Sequence, residues 1–246
     1  MNEPLTTPQR SNTTNVLPPC RWAYMGRVDY QEAWDIQHAL VQARADERIP
    51  DTMLLLEHPP TYTLGRRDKP SNMLLPRKAL EALGARVIEV NRGGEITFHG
   101  PGQLVGYPII GLRNWGGPLK YVRALEATLI AVLDTFGIQA GRIKGLTGVW
   151  ACDAKIAAIG IRVSRGVTSH GFALNVGTDL GWFQHIVPCG IPNRDVTSIE
   201  RLLGKALEMA DVPTVAAEAF GREMGFRMTQ VTPEDATAIP ITTRSL

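Results

Sequence analysis

The stretch Asn91–Ile110, NRGGEITFHGPGQLVGYPII, constrains this chain more than any other. Five of the 24 glycines fall in it: Gly93, Gly94, Gly100, Gly102 and Gly106. It begins after one strand-like run and ends in an apolar run that reads as another strand. Glycine has no Cβ, so its backbone can approach another group closely. A glycine-rich loop between two strands is therefore a place where a ligand can lie against main chain. Arg92 and His99 stand on the same loop. The alternative is a glycine-rich turn with a structural histidine. The glycine density, with Arg92 and His99 beside it, favours a site.

The rest of the chain bounds what such a site can serve. Its 246 residues allow one large domain or two small ones. With 44% hydrophobic and 20% charged residues, the composition is that of a soluble globular protein. A net charge of +2 makes no bulk case for nucleic acid or an anionic membrane. Arg66, Arg67, Lys69, Arg77 and Lys78 form either a local basic patch or a solvated loop and helix face. Cys20, Cys152 and Cys189 are too widely spaced for a metal-ligand pattern or a disulfide framework, which fits a reducing compartment. No metal and no cofactor is expected. The polar N-terminus has no apolar signal region, and no apolar run approaches a membrane span, so a cytoplasmic location is expected.

Taken in order, residues 1–20 read as a disordered tail and Trp22–Val28 as a first strand. Tyr30–Arg48 reads as a helix whose Ala33, Ile36, Leu40 and Ala43 face a core, with no chemistry on that face. Thr52–Glu57 is a buried strand, stopped by Pro59 and Pro60. His58, at its end, reads as structural or as a site wall. Tyr62–Lys69 reads as a loop, Arg77–Leu83 as a helix closed by Gly84, and Arg86–Val90 as a strand. Pro118–Phe136 is an amphipathic helix. Gly148–Val176 then changes period and reads as three strands joined by turns at Asp153 and Arg165-Gly166. On the middle strand, alternation puts Lys155, Ala157, Ile159 and Ile161 on one face, and Ala158 and Gly160 on the other. The small residues leave either a narrow apolar slot or room for close packing. Val196–Leu203 and Val212–Met224 read as helices, and residues 228–246 as a polar tail. No repeat or linker divides the middle, so residues 21–227 are expected to be one α+β domain with a mixed sheet flanked by helices.

Cys189 lies in a loop between Pro188 and Gly190, unlike an ordinary core cysteine. A thiol nucleophile must ionise, and a nearby cation favours that. Lys155, flanked by Ala154, Ile156 and Ala157, is either a partly buried base or a surface lysine at a hairpin end. His99 and His170 are further titratable groups, each of which reads equally as a satisfied structural histidine. There is no G-x-S-x-G elbow, H-E-x-x-H, C-x-x-C or G-x-x-x-x-G-K-[ST] motif.

RGGEITFHGPGQLVGYPI resembles the signature of the lipoyl (octanoyl) transferases, and two further stretches, around Lys155 and Cys189, resemble the same family. The resemblance covers roughly Tyr24 to Phe226. It implies a single domain similar to the biotin and lipoate ligase catalytic fold. It implies transfer of an octanoyl group from octanoyl-acyl carrier protein to a lysine of lipoyl domains, those of 2-oxoacid dehydrogenase complexes and the glycine cleavage H protein. The family's acyl-bearing cysteine in a PCGI-like loop matches Cys189, and its catalytic lysine before A-I-G matches Lys155. Its substrate contacts match Arg92, Gly93, Gly94, Glu95, Ile96, Thr97, Phe98 and His99; Ala158, Ile159 and Gly160; and Gly171, Phe172 and Ala173, with His170 in support. Phe98 stands where the family often has tyrosine. A thioester donor is already activated, so the resemblance implies no ATP.

Overall fold

The structure, a computed structural model, describes residues 16–113, 115–188 and 194–240. Strand β1 (Pro19–Arg27) leads to helix α1 (Tyr30–Ala45), whose first N–H groups are capped by the Asp29 carboxylate. Strand β2 (Asp51–Glu57) is buried along nearly its whole length. Met53 and Leu55 enter one core, Leu54 and Leu56 the other, as alternation requires of a strand covered on both faces. The chain continues through β3 (Thr61–Leu64), α2 (Arg77–Ala82), β4 (Arg86–Glu89), β5 (Thr97–His99) and β6 (Gln103–Ile109). Helix α3 (Pro118–Thr135) precedes the meander β7 (Val149–Ala151), β8 (Ala154–Ser164) and β9 (Val167–Asn175). Helices α4 (Ile199–Leu203) and α5 (Val212–Met224), strand β10 (Arg227–Gln230) and helix α6 (Pro233–Thr237) complete it.

Seven strands form one mixed sheet in the order β10-β1-β2-β6-β9-β8-β7, and β4-β3-β5 form a small second sheet. In the large sheet β10, β1 and β2 run parallel, and the pairs from β2/β6 through β7/β8 are antiparallel. Its face toward α3 and α5 holds the larger core, with Tyr121, Leu125, Leu129 and Phe220 fully buried. Its other face packs on α1. The glycine loop before β5 docks on β8 through the Gly93 N–H and the Ile161 carbonyl, 2.9 Å apart.

The chain ends depart from the sequence expectation. Pro19 and Cys20, assigned to the tail, begin β1, and Cys20 is fully buried. Residues 228–240, read as a tail, contain most of β10 and all of α6. β10 pairs with β1 through main chain, while its own side chains stay largely exposed, so no apolar pattern marks it. Residues 1–15 and 241–246 lie outside the described residues. The Tyr62–Lys69 loop contains most of β3, and the helix expected from Val196 starts only at Ile199, after the Ser198 cap.

Candidate active site

A cleft lies between the glycine loop, β8 and β9, enclosing about 440 Å³ of empty space, open solvent at its mouth included. Arg92, Gly94, Glu95, Thr97 and His99 line it from the loop and β5; Ala158, Ile159 and Gly160 from β8; and His170, Gly171, Phe172 and Ala173 from β9. Gly93 docks the loop instead of lining the cleft. Ile96 and Phe98 point away: alternation on β5 sends them into the small-sheet core, where Phe98 stacks on Trp182 at 5.3 Å. Their assignment as substrate contacts therefore meets a geometry that faces them elsewhere.

Gly160 sets the width. A Cβ there would lie 2.8 Å from the Gly93 carbonyl oxygen and 3.0 Å from Arg92 Cδ. The Arg92 guanidinium is buried and held by carbonyls. Nη2 donates to the Thr63 carbonyl (2.7 Å) and hydroxyl (2.8 Å), and Nη1 to the Glu95 carbonyl (2.8 Å).

One end of the cleft is a cluster of buried aromatic and imidazole rings, with Tyr30 stacked on His99 at 5.8 Å. His58 lies behind the wall: Nδ1 meets the Val28 carbonyl and Nε2 the Tyr107 hydroxyl, both at 2.7 Å. The carbonyl can only accept, so Nδ1 donates and the Tyr107 hydroxyl donates to Nε2. His170, in the left-handed backbone region at φ 55°, is held by its N–H to Gln37 Oε1 (2.7 Å) and by Nε2 to Asn91 Oδ1 (2.8 Å). Burial is the main cause holding all three histidines neutral: His58 is lowered to about 4, His170 to about 3, and His99 well below its ordinary value.

Lys155 is buried, at 5% exposure. It lines a smaller cavity that shares Thr97, Ala158 and Ala173 with the cleft and that Gln103, Asn175 and Pro188 also line. Strict alternation would have put it opposite Ala158. A bulge reverses that: Val149 pairs with Ala157 but Trp150 pairs with Lys155, leaving Ile156 extra. Ile156 and Ala157 both enter the α3 core, and Lys155 comes round to the cleft side. Its Nζ stands 4.9 Å from the centre of the Trp150 ring. Cys189 lies outside the described residues; Pro188, its chain neighbour, does line this cavity. Neither Cys152, exposed in the β7–β8 turn, nor Cys20, whose thiol burial drives far up in pKa, lines the cleft or the Lys155 cavity. Among the described residues no group of His, Cys, Asp and Glu side chains is arranged to hold a metal.

Sequence reading missed Tyr30, Tyr107, Gln103 and Asn175. Tyr30 opens a helix read as plain packing, and Tyr107 sits in an apolar strand. Nothing local in the sequence marks either as cleft-facing.

The sequence model of the lipoyl protein ligase A/B catalytic domain matches residues 29–221. The fold is similar to a putative lipoate protein ligase from T. acidophilum with bound lipoic acid, at a TM-score of 0.70 and 13% identity, covering 89% of this chain and 91% of that one. The octanoyltransferase of Koribacter versatilis is 50% identical over 203 residues, covering 80% of this chain and 81% of that protein. The octanoyltransferase of Mycolicibacterium gilvum is 50% identical over 210 residues, covering 82% and 84%. The chain belongs to the lipoyl protein ligase A/B catalytic domain family, in its octanoyltransferase branch. No helix among the described residues is long and apolar enough to cross a membrane.

Proposed function

We propose that this enzyme transfers an octanoyl group from octanoyl-acyl carrier protein to a lysine of lipoyl domains, through a thioester on Cys189. The acceptors in this reading are the lipoyl domains of 2-oxoacid dehydrogenase complexes and the glycine cleavage H protein, and the setting is the cytoplasm. The observation that carries it is the buried Lys155. It is aimed by a bulge into a cavity that shares Thr97, Ala158 and Ala173 with the small-residue cleft and is walled by Pro188, next to Cys189 in sequence.

The thiol proton passes to the Lys155 amine, and the Cys189 thiolate attacks the thioester carbonyl. The new carbon–sulfur bond forms as the carrier's breaks, and the Lys155 ammonium protonates the departing carrier thiolate. The acceptor amine then attacks the cysteinyl thioester. Lys155 takes its proton, and Cys189 leaves as the thiolate. The acyl chain lies along Ala158, Gly160, Phe172 and Ala173 throughout. The donor thioester is already activated, so no nucleotide enters the cycle.

Intact mass after mixing with octanoyl-acyl carrier protein tests this. The expected result is a gain of one octanoyl group, absent in Cys189→Ser and discharged by a lipoyl domain. Transfer that needs ATP and free octanoate, with no acyl-enzyme, would replace this reading with a ligase.

A further inference from the structure

We infer that Asn175 is a positioning residue that holds the segment following the Cys189 loop in register with Lys155, and that its amide, oriented by the Thr197 carbonyl, is backed by a one-directional hydrogen-bond chain through Gln103 and His99 to Thr63. This rests on the reading of Cys189 and Lys155 as a working pair.

The chain can be followed atom by atom. Arg92 Nη2 lies 2.8 Å from Thr63 Oγ1, which lies 3.3 Å from His99 Nε2. His99 Nδ1 is 2.8 Å from Gln103 Oε1, Gln103 Nε2 is 2.9 Å from Asn175 Oδ1, and Asn175 Nδ2 is 2.9 Å from the Thr197 carbonyl. Hydroxyls, amides and neutral imidazoles can each face either way, but the Thr197 carbonyl at the end of this chain can only accept. Followed back from it, and with one N–H on a neutral imidazole, every link has one direction. Thr63 donates to His99 Nε2, His99 donates from Nδ1 to Gln103, Gln103 donates to Asn175, and Asn175 donates to Thr197. Gln103 Nε2 also meets the Phe98 carbonyl at 3.1 Å, which fixes its amide the same way.

The end of this chain falls where the sheet changes partner. β9 pairs with β8 from Ala157 onward, and its last residue in the sheet is Asn175, opposite Gln103. At Lys155 the partner is instead residues 195–197. Lys155 N–H reaches the Asp195 carbonyl at 2.8 Å, and Thr197 N–H reaches the Lys155 carbonyl at 2.9 Å. Those residues follow the Cys189 loop in sequence. Thr197 is therefore held on its N–H by Lys155 and, through its carbonyl, by Asn175. Asn175, at 4% exposure, lines the same cavity as Lys155. Removing its amide frees one of these attachments and keeps the lysine itself.

The test uses the rate of Cys189 alkylation by iodoacetamide at pH 7, in a Cys152→Ser background and resolved by peptide mass. In the parent enzyme the rate exceeds that of the urea-unfolded chain, because Lys155 raises the thiolate fraction. Asn175→Leu, close in volume, is expected to lower the rate about ten-fold, as a rise of roughly one unit in thiol pKa requires. Gln103→Leu keeps the Asn175 bond to Thr197 but removes the bond that braces its amide from behind, and is expected to fall between. Both should retain the parent circular dichroism. Nitrogen-15 shifts of the parent should show His99 protonated on Nδ1. A parent rate above the unfolded chain with both variants unchanged overturns the inference, and so does the Nε2–H tautomer of His99. A parent rate no faster than the unfolded chain, with Lys155→Ala equal to it, instead sinks the Cys189–Lys155 pairing on which the inference rests.

Discussion

Acidification from pH 7 to pH 5 should remove a large part of this protein's stability, and the buried histidines say how much. His58, His99 and His170 are 0%, 6% and 1% exposed, and burial holds each neutral when folded, with His58 near 4, His170 near 3, and His99 also far down. In the unfolded chain all three titrate near 6.5, the usual histidine value. Between these values the unfolded state carries protons that the folded state does not, so stability falls as pH falls. The slope approaches about 1.4 kcal/mol per pH unit per histidine. For one site, integrating from pH 7 to 5 gives about 2 kcal/mol, so the three together give about 6 kcal/mol. The stabilisation is present in full above pH 6.5 and is lost progressively toward pH 4. Set against the ~5–15 kcal/mol typical of a whole domain, this is enough to bring the fold to the edge of unfolding. Carboxylates titrate mostly below this window, which isolates the histidine contribution. Urea melts followed by tryptophan fluorescence at pH 7, 6 and 5 measure it. Replacing His58 by Gln should lower the pH 7 stability but reduce the pH-dependent loss by about 2 kcal/mol. A total loss under about 2 kcal/mol between pH 7 and 5 would show that these histidines are hydrated or protonated when folded, and would refute the argument.

Other substitutions probe separate parts of the structure. Glu126, fully buried on α3, accepts from Arg123 (2.6 Å), Arg142 (2.9 Å) and the Gly148 N–H (3.2 Å). The arginine side chains are 46% and 41% exposed and can rehydrate, so Glu126→Gln should cost about 2–3 kcal/mol, read as a lower urea midpoint at constant m. Gly160→Ala drives a methyl into the Gly93 carbonyl and Arg92. Its kcat/KM for octanoyl transfer should fall at least about ten-fold, and less for a shorter acyl chain; equal activity would show that the glycine loop yields. Lys155→Ala should slow acyl-enzyme formation by about 10²–10⁴-fold with the fold retained, and a rate near the parent's removes Lys155 from the chemistry.

Much of the fold was legible because burial leaves a period behind. β2 announces two-sided burial by its unbroken apolar run, α3 by its helical stripe, and the β7–β8–β9 meander by two tight turns whose residues adopt positive φ at Cys152, Asp153, Arg165 and Gly166. The glycine loop was legible as a place of close approach because that needs residues without Cβ, and Gly160 against Gly93 is such a contact. What was not legible is whatever is decided by main-chain pairing or by tertiary placement. β10 joins the sheet through its backbone while its side chains face solvent, so it reads as tail. Gln37 looks like an exposed helix position but is fully buried, holding the His170 N–H. Tyr107 is one apolar residue among several in β6 until its hydroxyl is seen on His58.

The reading of Lys155 is the instructive case, because the pattern gave the wrong face for a physical reason. Alternation holds only while a strand keeps one register with both neighbours. At the start of β8 it keeps neither. The β7 register slips at Ile156, and the β9 partner gives way to residues 195–197 at Lys155. A side chain at such a junction is released from the period-two rule and can be aimed where no regular strand would point it. The same break requires other groups to close the gap, and the Asn175 amide and the two hydrogen bonds between Lys155 and residues 195–197 do so. An aimed lysine and a rigid local frame thus have one cause, the change of partner in the sheet. Sequence periodicity is expected to fail where strand pairing is reorganised, as it is at the start of β8.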